Sequence, residues 1–172
     1  YEMLQTAHAA VARIMVHDQN GVAETVNVAG KLRMLSQKIA FEAAFAGSDA
    51  RTRSERLRQS CSDYEAALDA LASGGHAFGY QVKQPTLALD APLAALRAEW
   101  QRFRRDVELA AVASDAARSA ALERVAHGSA LLLDYAETVV RLMTDEARKA
   151  QESALRQMYA LFMADLAVFA LA

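Results

Sequence analysis

Apolar and small residues recur at intervals of three and four along the first forty positions of the chain. This spacing places them on one face of an α-helix and predicts helix 1 from about Glu2 to Ala46. The stretch "GSDA" at 47–50 supplies a glycine followed by capping residues, so a reversal of the chain is expected there. The positions on this face are Leu4, Ala7, Val11, Ile14, Val22, Thr25, Val28, Leu32, Leu35 and Ile39.

The same periodicity predicts three more helices. Helix 2 is expected over about 50–72 and helix 3 over about 91–112, and helix 4 is expected from about Asp115 to the end. One long irregular connection, 73–92, holds three glycines and both prolines. Because strand signals are almost absent, the sequence predicts an all-α fold.

The helix lengths predict how the helices are arranged. Helices 2 and 3 are each about half as long as helices 1 and 4, at about 1.5 Å per residue, so they can cover only half of the long pair. We therefore predict an up-down-up-down four-helix bundle whose long first and last helices continue as a membrane-proximal stalk. Since two helices bury little apolar surface alone, the stalk is expected to require a second copy of the chain.

The final segment, "LFMADLAVFALA" at 161–172, is apolar apart from Asp165. Such a segment is expected to begin a transmembrane helix that enters the membrane from outside. A buried helix end is the alternative, and Asp165 favours it. The length of 172 residues otherwise predicts a single domain over 1–172.

Composition and motifs exclude several classes of function. With 19 Lys and Arg against 21 Asp and Glu, the chain has no basic excess for nucleic acid, so any anion site must be local. A single cysteine, Cys61, excludes an internal disulfide. The bundle has no Glu-x-x-His motif for a metal and no nucleophile elbow, so neither an enzyme, a metal nor a cofactor is predicted.

The stretch "NVAGKLRMLSQKI" at 27–39 breaks the ordinary pattern of helix 1. Gly30 in mid-helix costs about 1 kcal/mol relative to alanine, and close approach of another backbone or of a ligand would compensate. Arg33 has no carboxylate within helical reach, so it is solvated, or pairs with an acid on another helix, or meets an anion between two copies of helix 1. A second stripe on helix 1 comprises Val26, Gly30, Arg33, Gln37, Phe41 and Ala44.

The stretch "VNVAGKLRMLSQKIAFEAA", at about 26–44, resembles the conserved helix-1 box of the PilJ-type domain. That domain is the N-terminal sensor region of type IV pilus methyl-accepting transducers, and the box is similar to that of bacterial nitrate/nitrite sensor kinases. The resemblance implies a periplasmic, membrane-anchored homodimer. It also implies that one nitrate, or a related small anion, lies on the symmetry axis between the two first helices.

The resemblance further implies which residues bind the anion. Arg33 would contact it, and Gly30 would let the backbone approach, with Met34 next in the motif; Asn27 and Gln37 flank the same face as supporting residues. The alternative is a protein-interaction module that recognises a pilus or another protein partner without a small ligand. In that case Arg33 would bridge helices and the 73–92 loop would bind the partner.

Overall fold

The computed structural model describes residues 2–45 and 50–171. Four helices and one small two-stranded sheet make up this part of the chain, which confirms the predicted four-helix fold. The elements in chain order are α1 (Glu2–Ala44), α2 (Ala50–Ser73), β1 (Gly75–Ala77), β2 (Tyr80–Val82), α3 (Leu87–Val112) and α4 (Asp115–Leu171).

The helices pack as an antiparallel bundle. α1 packs against α2 and α4, and α3 packs against α2 and α4, so helices adjacent in sequence are adjacent in space. Two hydrogen bonds show that α2 and α3 are antiparallel. Arg97 donates to Asp69 at 2.6 Å, and Trp100, later in α3, donates to Glu65, earlier in α2, at 3.2 Å. This arrangement is the predicted up-down-up-down order.

A single core runs between the four helices. The inward face predicted for α1 is buried at Val28, Leu32, Leu35 and Ile39. The aromatic centre of the core comes from α2 and α3, where the rings of Tyr64 and Trp100 stack with centroids 4.1 Å apart. Further buried core residues are Leu68, Leu71, Leu96, Phe103, Val107, Val125, Leu132 and Val139.

The 73–92 segment was expected to be one long irregular loop, and this expectation was wrong. Its first half is a β-hairpin in which β1 pairs antiparallel with β2, with Ala77 opposite Tyr80. Phe78 and Gly79, between the strands, both have positive φ, 54° and 79°, as a tight type I′ hairpin turn requires. Strands of three residues are too short to show an alternation of apolar and polar positions. The sequence therefore predicted a loop from the glycines of this segment.

The second half of the same segment belongs to α3, which begins at Leu87 rather than Ala91. Pro92, expected in the loop, is therefore inside the helix. Proline's fixed φ is compatible with a helix, but Pro92 is the sixth residue of α3, so its missing N–H removes one hydrogen bond, to the carbonyl of Ala88. α1 ends at Ala44 rather than Ala46, and the predicted reversal at 47–49 lies outside the described residues.

α4 extends well beyond the part of the bundle that α3 covers. Its described side chains from Gln151 to Met163 are exposed, except Ala154, and include several large apolar residues. In the described parts of the chain, no helix is both long enough and apolar enough to span a membrane. The start of a membrane helix at 161–172 therefore stays a prediction. The exposed apolar residues are Leu155, Met158, Tyr159, Leu161, Phe162 and Met163.

Candidate functional site

The five predicted ligand-binding residues lie on two sides of the exposed part of α1. Asn27 and Met34 are exposed, with Met34 60% exposed, and Gly30 is partly exposed beside them. Arg33 and Gln37 contact α4 instead of pointing away from the bundle. The structure therefore separates the predicted residues into a central group, Asn27, Gly30 and Met34, and an edge group, Arg33 and Gln37.

The central group belongs to a surface that we call the outer face of α1. Met34 shares this surface with two exposed aromatic residues, Phe41 (64% exposed) and Phe45 (46% exposed), whose rings stack with centroids 5.4 Å apart. Large apolar side chains exposed on one helix face, here with the exposed Lys38 between Met34 and Phe41, are typical of an interaction surface. The outer face comprises Ala23, Asn27, Gly30, Met34, Phe41 and Phe45.

Gly30 has no packing role within the protomer. A Cβ built at this position meets no atom within 4 Å, whereas a Cβ at Gly128 would lie 3.1 Å from the ring of Phe103. Gly128 is therefore explained by close packing of α4 on α3. The cost of Gly30 in mid-helix, about 1 kcal/mol, has no such compensation inside one chain.

Arg33 forms an ion pair with α4. Its Nη1 lies 2.8 Å from Oε2 of Glu137, and the two side chains are 43% and 55% exposed. The Nε of Arg33 is buried and has no hydrogen-bond partner. Within the protomer, Arg33 thus makes the bridge to an acid on another helix that the sequence left as one of three alternatives.

Gln37 lies one helical turn after Arg33 and also contacts α4. Its Nε2 donates to the hydroxyl of Ser129 at 3.0 Å and, more weakly, to the Ser129 carbonyl at 3.4 Å. Ser129 is itself almost fully buried. Gln37 therefore ties α1 to α4 and is less available to a ligand than its position in the sequence indicates.

The hairpin lies on the other edge of the outer face. The ammonium group of Lys31 sits 4.6 Å from the ring centroid of Phe78 and 4.8 Å from that of Tyr80, within range of cation–π attraction. The backbone N–H of Gln81 donates to the carboxylate of Glu24 at 2.8 Å. The sequence analysis did not connect these residues because the hairpin that brings them to α1 was not predicted.

No metal site is found in the part of the chain that the structure describes, where no three of His, Cys, Asp and Glu come together suitably. Cys61 is partly buried in α2. Burial raises the pKa of its thiol from 9.0 to about 11, while Arg104 nearby lowers it and the carboxylates of Glu65 and Glu108 raise it. The thiol therefore lacks the low pKa that reactive cysteines have.

Cys61 is expected to react slowly with iodoacetamide in the folded protein. Because the thiolate is the nucleophile, the raised pKa lowers the rate near neutral pH about a hundredfold relative to the unfolded chain. A pKa raised by folding also means that this contribution to stability is complete below pH 9.0 and is lost as the pH rises towards about 11. Alkylation of native protein and of protein in concentrated urea, followed by mass spectrometry, tests this; equal rates would contradict it.

The fold and the site define a class of protein: a four-helix bundle with exposed apolar side chains on its first helix. Residues 14–127 match the family model of PilJ, described as the N-terminal region of type IV pili methyl-accepting chemotaxis transducers. Because this match spans more than half of the chain, the protein belongs to the PilJ family. It is the sensor domain of a chemotaxis transducer.

Among solved structures, the chain is similar to the ligand-binding domain of the P. aeruginosa nitrate receptor McpN. The two are 27% identical, the similarity covers 72% of this chain and 96% of that one, and the TM-score is 0.57. No curated protein matches the chain. The resemblance that the sequence indicated is therefore confirmed, and both comparisons lead to chemoreceptor sensor domains rather than to enzymes.

Proposed function

We propose that this chain is the periplasmic sensor domain of a membrane-anchored receptor and binds nitrate between the α1 helices of a homodimer. The observation that carries the proposal is the outer face of α1. It is apolar, exposed and centred near a glycine that packing within the protomer does not require, and an arginine stands at its edge. The similarity to a domain from a nitrate receptor supports the choice of ligand.

The dimer would bring two outer faces together around a twofold axis. Gly30 of each chain would allow the two backbones to approach, while Met34 and Phe41 would lose their exposure to water in the contact. Arg33 of each chain would donate hydrogen bonds to the anion from opposite sides. Asn27 would contribute an amide at the rim, and Gln37 would hold α1 on α4 behind the site.

The orientation of the long helices supports a receptor anchored at one end. Because α1 and α4 are antiparallel, the beginning of α1 and the end of α4 lie at the same end of the bundle. The exposed apolar side chains of α4 after residue 154 lie towards this end. A stalk formed by these two helices from each subunit would bury them against the partner and carry the signal towards the membrane.

Calorimetric titration with nitrate tests the proposal. We expect one nitrate to bind per two chains, nitrite to bind more weakly, and sulfate to bind hardly at all. Planar nitrate accepts hydrogen bonds from two guanidinium groups in one plane, whereas tetrahedral sulfate carries further oxygens that Gly30 and Met34 cannot satisfy. A stoichiometry of one per chain would contradict the shared site. Absence of binding for every anion would favour the protein-interaction alternative.

A further inference from the structure

The ion pair between Arg33 and Glu137 joins the proposed anion site to the helix that leads out of the bundle. Arg33 belongs to α1 and lies at the edge of its outer face, and Glu137 belongs to α4. The two charged groups are 2.8 Å apart and both side chains are about half exposed. Exposed pairs of this kind are weak, so the contact can exchange for another at little cost.

The pair satisfies the arginine only in part. A guanidinium carries five N–H donors in a planar fork, and the contact to Glu137 is made through Nη1 alone. The Nε is buried without a hydrogen-bond partner, an arrangement that is unfavourable for a polar group. The geometry in the protomer therefore does not hold Arg33 in its best environment, and an acceptor that reached more of its donors would be preferred.

An anion on the outer face of α1 would compete with Glu137 for the same guanidinium. Both are negative acceptors, so the carboxylate repels the anion and occupies a donor that the anion requires. We propose that Glu137 is a built-in competitor of the ligand: it neutralises Arg33 in the empty dimer, lowers the affinity for the anion, and loses its partner when the anion binds. This inference rests on the function proposed above.

The competition changes a contact between two helices. The single anion that binds per dimer replaces an α1–α4 ion pair in each of the two subunits with a contact between α1 and the ligand. The hydrogen bond from Gln37 to Ser129 lies next to the pair and does not involve the anion, so it remains as the fixed point between α1 and α4. Ligand binding thus loosens α4 at Glu137, on the side of the fixed point that faces the stalk.

The test is nitrate titration of the dimeric wild-type protein beside Glu137→Gln, Glu137→Asp and Glu123→Gln. Without the competing carboxylate, Glu137→Gln is expected to bind nitrate about tenfold more tightly. Glu123→Gln, an exposed position of α4 about 21 Å away along the helix, removes the same charge and should change the affinity less than twofold. Glu137→Asp keeps the negative charge and should bind close to wild type.

A structural role alone would not strengthen binding, so the direction of the change is decisive. Glu137→Gln should unfold within about 3 °C of wild type without anion, since the lost pair is exposed. Affinity in Glu137→Gln equal to or weaker than wild type would overturn the competition and leave nitrate binding intact, and equal tightening in Glu123→Gln would also overturn it. Nitrate binding that is detected for Glu137→Gln and for none of the other proteins would support the competition. No binding by any of the proteins would overturn the proposed function and the competition together.

Discussion

Nitrate at a hundredfold excess over its Kd is expected to raise the free energy of unfolding by about 2.7 kcal/mol, and Arg33→Ala is expected to abolish this effect. The stabilisation would arise because the proposed native dimer binds the anion and the unfolded chain does not. In the proposed site Arg33 would supply the charge-assisted hydrogen bonds, and the central group, Asn27, Gly30 and Met34, offers no cation that could replace it. Thermal or chemical unfolding with and without nitrate measures the difference.

Arg97→Ala is a matched control for this experiment. The side chain of Arg97 is 43% exposed, as is that of Arg33, and it also pairs with an acid on a neighbouring helix, Asp69. Both variants lose an exposed ion pair, so each should change the stability without nitrate by only about 0–1 kcal/mol. Only Arg33→Ala should lose the response to nitrate. A full nitrate response in Arg33→Ala would remove this residue from the site.

Gly30→Leu is expected to abolish both dimerisation and nitrate binding while each subunit stays folded. Because a side chain at this position meets open space within the protomer, the change should stabilise the isolated helix by up to about 1 kcal/mol. In the proposed dimer the same side chain would fill the space where the two backbones approach. Sedimentation gives the association state, calorimetry gives the binding, and circular dichroism gives the helix content.

The control for Gly30→Leu is Ala98→Leu, which adds the same side chain at an exposed position of α3. This variant should dimerise and bind nitrate as wild type does. If Gly30→Leu dimerised and bound nitrate with unchanged affinity, the outer face of α1 would not be the interface. If Gly30→Leu failed to fold, the protomer would have no room for a leucine side chain at this position. The smaller change Gly30→Ala would then test association in a folded protein.

Two structural findings bear on the proposed anion site. The sequence places Arg33 and Gln37 on the same stripe as Gly30 and Phe41, but in the structure both polar residues contact α4. Two Arg33 side chains at a twofold axis would repel each other if they were bare. Since each Arg33 already has Glu137 as a counter-ion, the proposed dimer without its ligand would not be opposed by the full repulsion.

The four helices and the buried face of α1 follow from local patterns in the sequence. Residues such as Leu32 and Ile39 repeat with the period of the helix, and this pattern is local, so it can be read without knowing what each face contacts. The same local reasoning drew attention to Gly30 and Arg33, because a glycine in mid-helix and an arginine without a local acid depart from helical preferences that are themselves local.

What Gly30 and Arg33 face across the fold is known only from the packing of the helices. Glu137 is about a hundred positions from Arg33 in the chain, and no local pattern identifies which acid of α4 stands beside it once the helices pack. The hairpin was not predicted for a related reason. Its three-residue strands are stabilised by pairing with each other and by contacts with Lys31 and Glu24 of α1. Their own sequence preferences contribute little. Which residues contact each other depends on their distance in the folded structure. The periodicity of the sequence specifies which face of a helix is buried, but not which residues of other helices that face contacts.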